Sequence, residues 1–230
     1  IAILMAVRII YYQRIPELDK IKPKKEKFHK SFLKVLVIPE YLSFCAYCFL
    51  LTLFTGACPQ IFNLIEKDVL HLSKVEMVFI GNLLVVGALA GFFLGGRMVV
   101  KYGTKYVFLW CHFGFGLILF LFLWREIFPG EVQITVGVLT ILFGLVQAAS
   151  SIAMTSETLV LIPAENKSLA TGLWFTFYSG GVGLSGILSG QALELGLLSD
   201  TWSWFGQAMS RYDGLLMLCG SMVLLMTVTL

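Results

Sequence analysis

The 230-residue chain is 58% hydrophobic and only 13% charged, with a formal net charge of +3 and a mean hydropathy of +0.85. A soluble domain of this size needs many more polar residues to cover its surface, so the composition excludes a soluble globular protein and favours one that lies in a lipid bilayer. A secretory signal would be one short apolar run before a polar mature chain, and the sequence lacks that pattern.

The first segments in chain order are a short apolar run and a basic stretch. Residues 1–13 are too few to cross the hydrocarbon, so we expect the end of a preceding transmembrane helix in a fragment of a longer protein. Residues 14–40 contain Pro16 and Pro23, which break helices. This segment is predicted to be a basic cytoplasmic linker that lies against anionic lipid headgroups, and no nucleic acid is expected as its partner. Its bases are Arg14, Lys20, Lys22, Lys24, Lys25, Lys27, Lys30 and Lys34.

Six longer apolar runs follow the linker. A helix that crosses the hydrocarbon needs about 20 apolar residues, and the runs are continuous rather than alternating, which favours helices over the strands of a barrel. The predicted fold is therefore an all-α polytopic membrane protein, with a six-helix transmembrane bundle over residues 41–230. The runs cover residues 41–62, 77–96, 106–124, 132–158, 169–195 and 213–230.

Lysine and arginine are shared unequally between the two sides of this bundle. Segments 14–40, 97–105 and 159–168 carry twelve of these bases, whereas the alternate loops carry four. Because cytoplasmic loops are enriched in Lys and Arg, the three segments are predicted to be cytoplasmic, in an inner or plasma membrane. The four bases on the other side are Lys67, Lys74, Arg125 and Arg211.

Polar side chains form stripes on three of the predicted helices, which predicts a hydrated or ligand-binding interior between them. The alternative is that these small groups make only interhelical packing contacts and hydrogen bonds. Runs 106–124 and 213–230 carry few polar groups, which favours contact with lipid, and His112 is expected to be packed or interfacial. The candidates for the substrate cavity are Thr52, Thr55, Asn82, Gln147, Ser151, Trp174 and Tyr178.

Glycine is positioned on the second run, where Gly87, Gly91 and Gly95 form a GxxxGxxxG pattern. Such a pattern lets another helix approach closely. Gly95 and Gly96 are expected to end this helix and to leave a tight basic turn after it.

No catalytic or metal-binding constellation is apparent in the sequence. Cys45 and Cys48 have the spacing of a zinc knuckle, but they lack a second pair or a nearby histidine, so we expect small apolar helix residues and no metal. The predicted spans contain no HExxH, GxSxG or carboxylate pair. We therefore expect no enzyme activity and no cofactor.

The segment GRMVVKYGTK resembles the loop signature of the major facilitator superfamily. That signature is glycine, three mostly apolar positions, Asp, Arg, any residue, Gly, Arg, and Arg or Lys. Val100 stands at the position of the family's Asp, and Thr104 replaces a base. The matching positions are Gly96, Lys101, Gly103 and Lys105.

A second segment, SETLVLIPAENKSLATGLWF, is similar to the link between helices ten and eleven of the same family. Glu157, Pro163 and Lys167 correspond to its acid, proline and base, although the spacing from acid to proline is commonly shorter in the family. Six spans after a basic central linker also resemble the carboxyl-terminal half of the twelve-helix fold, with residues 1–13 as the end of helix six.

The resemblance implies a secondary active or facilitative transporter that moves a small solute by alternating access, with or without a coupling ion. It also implies an amino-terminal half-bundle as a partner, and it places helices seven, eight, ten and eleven toward the cavity. A non-transporting sensor or receptor of the same fold is the alternative. No Asp, Glu, Lys or Arg lies near the middle of a complete run, so the sequence shows no group for proton coupling.

The basic segment at 97–105 suggests a gate in this family context. We expect Arg97 and Lys101 to pair with Glu157 when the cytoplasmic gate is closed. The alternative is that these bases only anchor the loop to lipid headgroups.

Overall fold

The computed structural model describes residues 34–126, 132–162, 167–199, 202–204 and 206–228. The predicted helix end at 1–13 and most of the predicted linker at 14–40 lie outside the described residues. The same holds for Pro163, which had been matched to the family's proline.

Helices dominate the described residues, and they follow the predicted apolar runs. By length and composition, four stretches among these residues can cross a membrane: Pro39–Val69, Lys74–Tyr102, Thr104–Leu123 and Val132–Leu161. The elements are α1 (Pro39–Thr55), α2 (Cys58–Leu64), a π-helical turn (Ile65–Val69), α3 (Lys74–Tyr102), α4 (Thr104–Leu123), α5 (Val132–Leu161), α6 (Lys167–Glu194), β1 (Trp202–Trp204), β2 (Gln207–Met209) and α7 (Arg211–Thr227).

The predicted spanning run at 41–62 lies within one stretch that can cross a membrane, Pro39–Val69, but its helix is interrupted. α1 ends at Thr55, and α2 begins at Cys58 with Pro59 in its first turn. Proline lacks an N–H and its ring clashes with the carbonyl of the preceding turn, so the helix cannot pass smoothly through this position. The freed N–H of Ala57 instead donates to Ser185 Oγ of α6 at 2.9 Å. This hydrogen bond from the break to α6 thus stabilises the break.

The predicted end of the second helix at Gly95 and Gly96 is wrong. α3 continues to Tyr102, because the residues after Gly96 are compatible with a helix, and it ends only at Gly103. Gly103 has a φ of 85°, a conformation that a residue without a Cβ adopts at little cost. Residues 97–102 are therefore the last turns of a helix, and the connection to α4 is a single glycine.

Close glycine contacts join the helices in pairs. Gly87, Gly91 and Gly95 of α3 lie directly against the backbone of α5, where Ile141, Leu145 and Ala149 occupy the space that a side chain would need. The GxxxGxxxG pattern therefore allows the close approach of another helix, as the sequence predicts.

The other helices pair in a related way. α6 approaches α1 closely at Gly181, which faces Thr52 and the Phe49 carbonyl. α4 packs extensively on both α5 and α7. One face of α4 is buried in the common core, whereas Leu109, Trp110 and other large apolar residues of its opposite face are exposed. That exposed face fits the predicted contact with lipid.

An antiparallel hairpin adds a small β element that the all-α prediction did not include. β1 and β2 pair Trp202 with Met209 and Trp204 with Gln207. Gly206 has a φ of 80° in the connection, and the Trp202 indole N–H donates to the Ser210 carbonyl at 3.1 Å.

Candidate functional site

The start of α4 contacts the C-terminal end of α5. The Thr104 hydroxyl donates to Glu157 Oε2 at 2.5 Å. Thr104 is the residue that replaces a base in the loop signature, so the departure from the family pattern supplies the hydrogen-bond donor. An acceptor that carries a full charge makes this bond stronger than one between neutral groups.

Arg97 and Lys101, two bases of the 97–105 segment, lie beside aromatic rings in this conformation. The Arg97 guanidinium stands 4.0 Å from the centre of the Phe93 ring, and Lys101 Nζ lies 4.9 Å from that of Tyr102. No ion pair between described residues joins either base to Glu157. Gly96 faces open space and Lys105 is exposed.

Three of the predicted cavity residues, Thr52, Trp174 and Tyr178, lie where α1 meets α6, and Thr55 lies about one turn further along α1. The Thr52 hydroxyl is 2.9 Å from the Cys48 carbonyl of its own helix and 3.2 Å from the Tyr178 carbonyl of α6, and the Thr55 hydroxyl donates to the Leu51 carbonyl. Both threonines are buried, and their hydroxyls are used within the bundle.

Trp174 and Tyr178 form the aromatic part of this group. Their ring centres are 5.6 Å apart, and both side chains are partly buried. The Trp174 Nε1–H is shielded from solvent and has no nitrogen or oxygen acceptor among the described residues. The Cys48 thiol of α1, a weak acceptor, lies beside it.

The other three predicted cavity residues lie on the α3–α5 pair. Asn82 is exposed on α3, and Gln147 and Ser151 are partly buried one turn apart on α5. The Ser151 carbonyl accepts the Thr155 hydroxyl within the same helix. Among the described residues, no hydrogen bond or ring contact joins this group to Trp174 and Tyr178. Asn82 precedes Gly87, which faces Ile141, whereas Gln147 follows Leu145, which faces Gly91. Asn82 therefore lies at a different level of the α3–α5 pair from Gln147 and Ser151, and the structure does not bring the three together.

Comparison with known proteins identifies the family. Residues 1–186 match the family model of the Major Facilitator Superfamily. The chain belongs to this superfamily. No curated protein matches the sequence significantly. A major facilitator chain with apolar spanning helices is a multi-pass membrane protein of a transporter-type family, and members of this family are generally not enzymes.

One buried ion pair of this major facilitator chain was not predicted. Arg125, after α4, donates through Nη1 to Asp213 Oδ1 at 2.5 Å and through Nη2 to Oδ2 at 3.2 Å. The two side chains are only 2% and 0% exposed. Asp213 Oδ2 also accepts the backbone N–H and the hydroxyl of Ser210, both at 2.8 Å. The Ser-x-x-Asp pattern before an apolar run was the available signal, since it is a helix-capping motif.

A buried tyrosine–histidine pair lies between α1 and α4. His112 Nδ1 is 2.6 Å from the Phe108 carbonyl, so Nδ1 carries the proton, and the Tyr47 hydroxyl donates to Nε2 at 2.5 Å. Both ring nitrogens of His112 therefore have partners, and the side chain is fully buried. This arrangement confirms the prediction of a packed histidine.

Proposed function

We propose that this chain is the carboxyl-terminal six-helix half of a transporter that moves a small solute across an inner or plasma membrane by alternating access. The observation that carries the proposal is the match of residues 1–186 to the Major Facilitator Superfamily. The transport is secondary active or facilitative, and the solute site lies between this half and an amino-terminal half-bundle.

The polar and aromatic candidates on α1–α6 and α3–α5 support a site that is completed by a second half. Trp174 offers a buried N–H whose partner among the described residues is the weakly accepting Cys48 thiol, and Tyr178 stands beside it with an aromatic face. Asn82, Gln147 and Ser151 offer amide and hydroxyl groups. Convergent polar groups on an otherwise apolar surface orient a ligand and provide its specificity. A small polar solute would suit them through stacking and hydrogen bonding.

The proposed orientation puts segments 14–40, 97–105 and 159–168 in the cytoplasm. The contact between Thr104 and Glu157 then lies on the cytoplasmic side, where it acts as a latch that favours one of the two conformations. In the other conformation, Glu157 pairs with Arg97 or Lys101, whose side chains rest on aromatic rings here. Because the site borders water, each arrangement contributes about 1 kcal/mol, or a shift of about fivefold in the equilibrium.

Counterflow in proteoliposomes tests the transport activity. Vesicles that contain the full-length protein are loaded with an unlabelled candidate solute, and labelled solute is added outside at low concentration. A carrier produces transient accumulation of label, and a screen of small polar solutes identifies the class. Saturable solute binding without any accumulation would contradict transport and support a sensor of the same fold.

Two substitutions separate the hydrogen bond of the latch from its charge. Thr104→Val removes the donor and keeps the carboxylate, whereas Glu157→Gln keeps an acceptor oxygen and removes the charge. We expect both to change the balance of inward and outward accessibility about fivefold, and the double variant to change it by less than the product of the two. Thr155→Val is the control, because its hydroxyl bonds only within α5. If both test variants behave like this control, the latch does not exist.

A further inference from the structure

Glu66 is a buried acid that the transport proposal does not use. It lies in the π-helical turn at the end of the Cys58–Val69 segment, which begins after the helix break and ends at the side of the bundle opposite Thr104 and Glu157. The residue is only 1% exposed. Its Oε2 is shielded from solvent and has no hydrogen-bond partner among the described residues.

No base among the described residues forms an ion pair with this carboxyl group. The ion pairs between described residues join Lys67 to Asp68 and Arg125 to Asp213, and neither includes Glu66. Lys67 follows Glu66 in the chain, but its side chain is 69% exposed and points to solvent. A buried carboxylate without a partner is strongly disfavoured, and such a group takes up a proton instead.

Several charged and titratable groups at this end of the bundle have described partners other than Glu66. On α7, the Tyr212 hydroxyl donates to Asp68 Oδ2 at 2.7 Å, and the Arg211 guanidinium lies over the Tyr212 ring. After α4, Arg125 is bound to both carboxylate oxygens of Asp213. The Tyr212–Asp68 bond fixes the π-helical turn against α7 and leaves Glu66 turned into the bundle.

The backbone around Glu66 is unusual as well. π-helical turns are rare and occur frequently at functional sites. Here the turn buries Ile65 and Glu66 and exposes Lys67 and Asp68. The whole Cys58–Val69 segment lies between the helix break and the N-terminal cap of α3 at Ser73. A movement that exposes Glu66 must therefore break the Tyr212–Asp68 bond or the stacking of Phe62 on Phe122, whose ring centres are 4.2 Å apart.

We propose that Glu66 is a proton-binding site, neutral in this conformation and ionised when the Cys58–Val69 segment moves and exposes it to water. Movement of the segment then releases one proton, and its return binds one. The linkage has a definite sign: the buried conformation binds the additional proton, so low pH favours it and rising pH favours the exposed one. This deepens the proposed transporter by identifying the proton as an ion that its conformational cycle binds.

Infrared spectroscopy of the full-length protein tests the protonation itself. The wild type at pH 7 should show the carbonyl band of a protonated carboxyl group that is absent from Glu66→Gln and retained in Glu194→Gln, whose acid is exposed at the end of α6. Identical spectra of the wild type and Glu66→Gln would overturn the proposal. Glutamine reproduces the shape and neutrality of a protonated glutamate, so a Glu66→Gln protein that fails to fold would contradict the proposal too.

Hydrogen exchange tests the coupling to movement. The exchange rate of residues 58–69 in the wild type, divided by that in Glu66→Gln, should rise as pH increases, by up to tenfold per pH unit for one proton. The ratio cancels the intrinsic dependence of exchange on pH. A ratio that stays constant from about pH 5 to about pH 9, the range above the ordinary glutamate pKa, would overturn the coupling. Neither measurement needs a solute, so a failed transport assay would not be mistaken for failure of this site.

Discussion

The close packing of α3 against α5 leads to a quantitative prediction for Gly91→Ala. A Cβ at Gly91 would lie 2.8 Å from Leu145 Cα and 2.9 Å from Ala148 Cβ, and closer still to the Leu145 carbonyl oxygen. Carbon atoms pack comfortably at about 3.5–4.0 Å, and backbone atoms cannot rotate away as the end of a side chain can. The two helices must therefore move apart along much of their contact.

Overpacking of this kind typically lowers stability by about 1–3 kcal/mol, and we expect a decrease in that range for the unfolding free energy of Gly91→Ala. Gly96→Ala is the matched control, since it lies five residues on in the same helix and a Cβ there meets no atom within 4 Å. Its effect should be below about 1 kcal/mol and in the stabilising direction, because alanine is the better helix former.

Equilibrium unfolding of the full-length protein in mixed micelles, followed by circular dichroism, measures both variants. The purified proteins are compared at equal lipid and detergent content, so that the micelle contributes equally to each unfolding curve. A Gly91→Ala protein that is as stable as Gly96→Ala would refute the packing of α3 on α5 described above.

Three further predictions concern single contacts. Asp213→Asn leaves the buried Arg125 guanidinium without a counter-charge and should lower the unfolding free energy by about 3–5 kcal/mol in the same assay. A loss below about 1 kcal/mol would show that the ion pair is hydrated. Ser185→Ala removes the acceptor for the Ala57 N–H and should lower stability by about 1–3 kcal/mol, with faster hydrogen exchange at the break; unchanged exchange there would contradict the contact. Trp174→Phe keeps an aromatic ring but removes the buried N–H, and should weaken solute binding about three- to tenfold in calorimetry. An unchanged affinity would exclude this indole from the site.

The positions of the helices could be predicted from hydrophobic runs, but several of their ends could not. The run at 77–96 stops being apolar at Arg97, yet α3 continues to Tyr102. Hydropathy measures the preference for lipid, whereas a helix ends where its backbone can no longer continue. In this case the end is Gly103, whose positive φ follows from the reversal of the chain rather than from any change in polarity.

The helix break at Gly56 could have been suspected from Pro59, but its position depends on tertiary contacts. The Ala57 N–H is stabilised by Ser185, which lies 128 residues away in the chain. A local pattern cannot identify such a partner. The sequence predicts only a general polar stripe on α6, and the structure gives Ser185 a defined hydrogen bond within the bundle.

In the candidate site as well, the sequence identified a residue that takes part but not its hydrogen-bond partner. The sequence identified Glu157 as the acid that meets the 97–105 segment, and the structure brings it to that segment through Thr104. Whether Arg97 and Lys101 pair with Glu157 in another conformation stays a prediction. Glu66 escaped notice because it lies beyond the end of the predicted run at 41–62, and only the three-dimensional packing reveals that it is buried.

Accessibility from the two sides of the membrane tests the central claim of alternating access most directly. A Gln147→Cys variant of the full-length protein, with the native cysteines replaced, is treated with a membrane-impermeant maleimide from either side. We predict labelling from both sides, with solute changing the two rates in opposite directions, whereas a control cysteine at Leu117 on the exposed face of α4 shows no response to solute. Labelling of Gln147→Cys from one side only, with or without solute, would contradict alternating access.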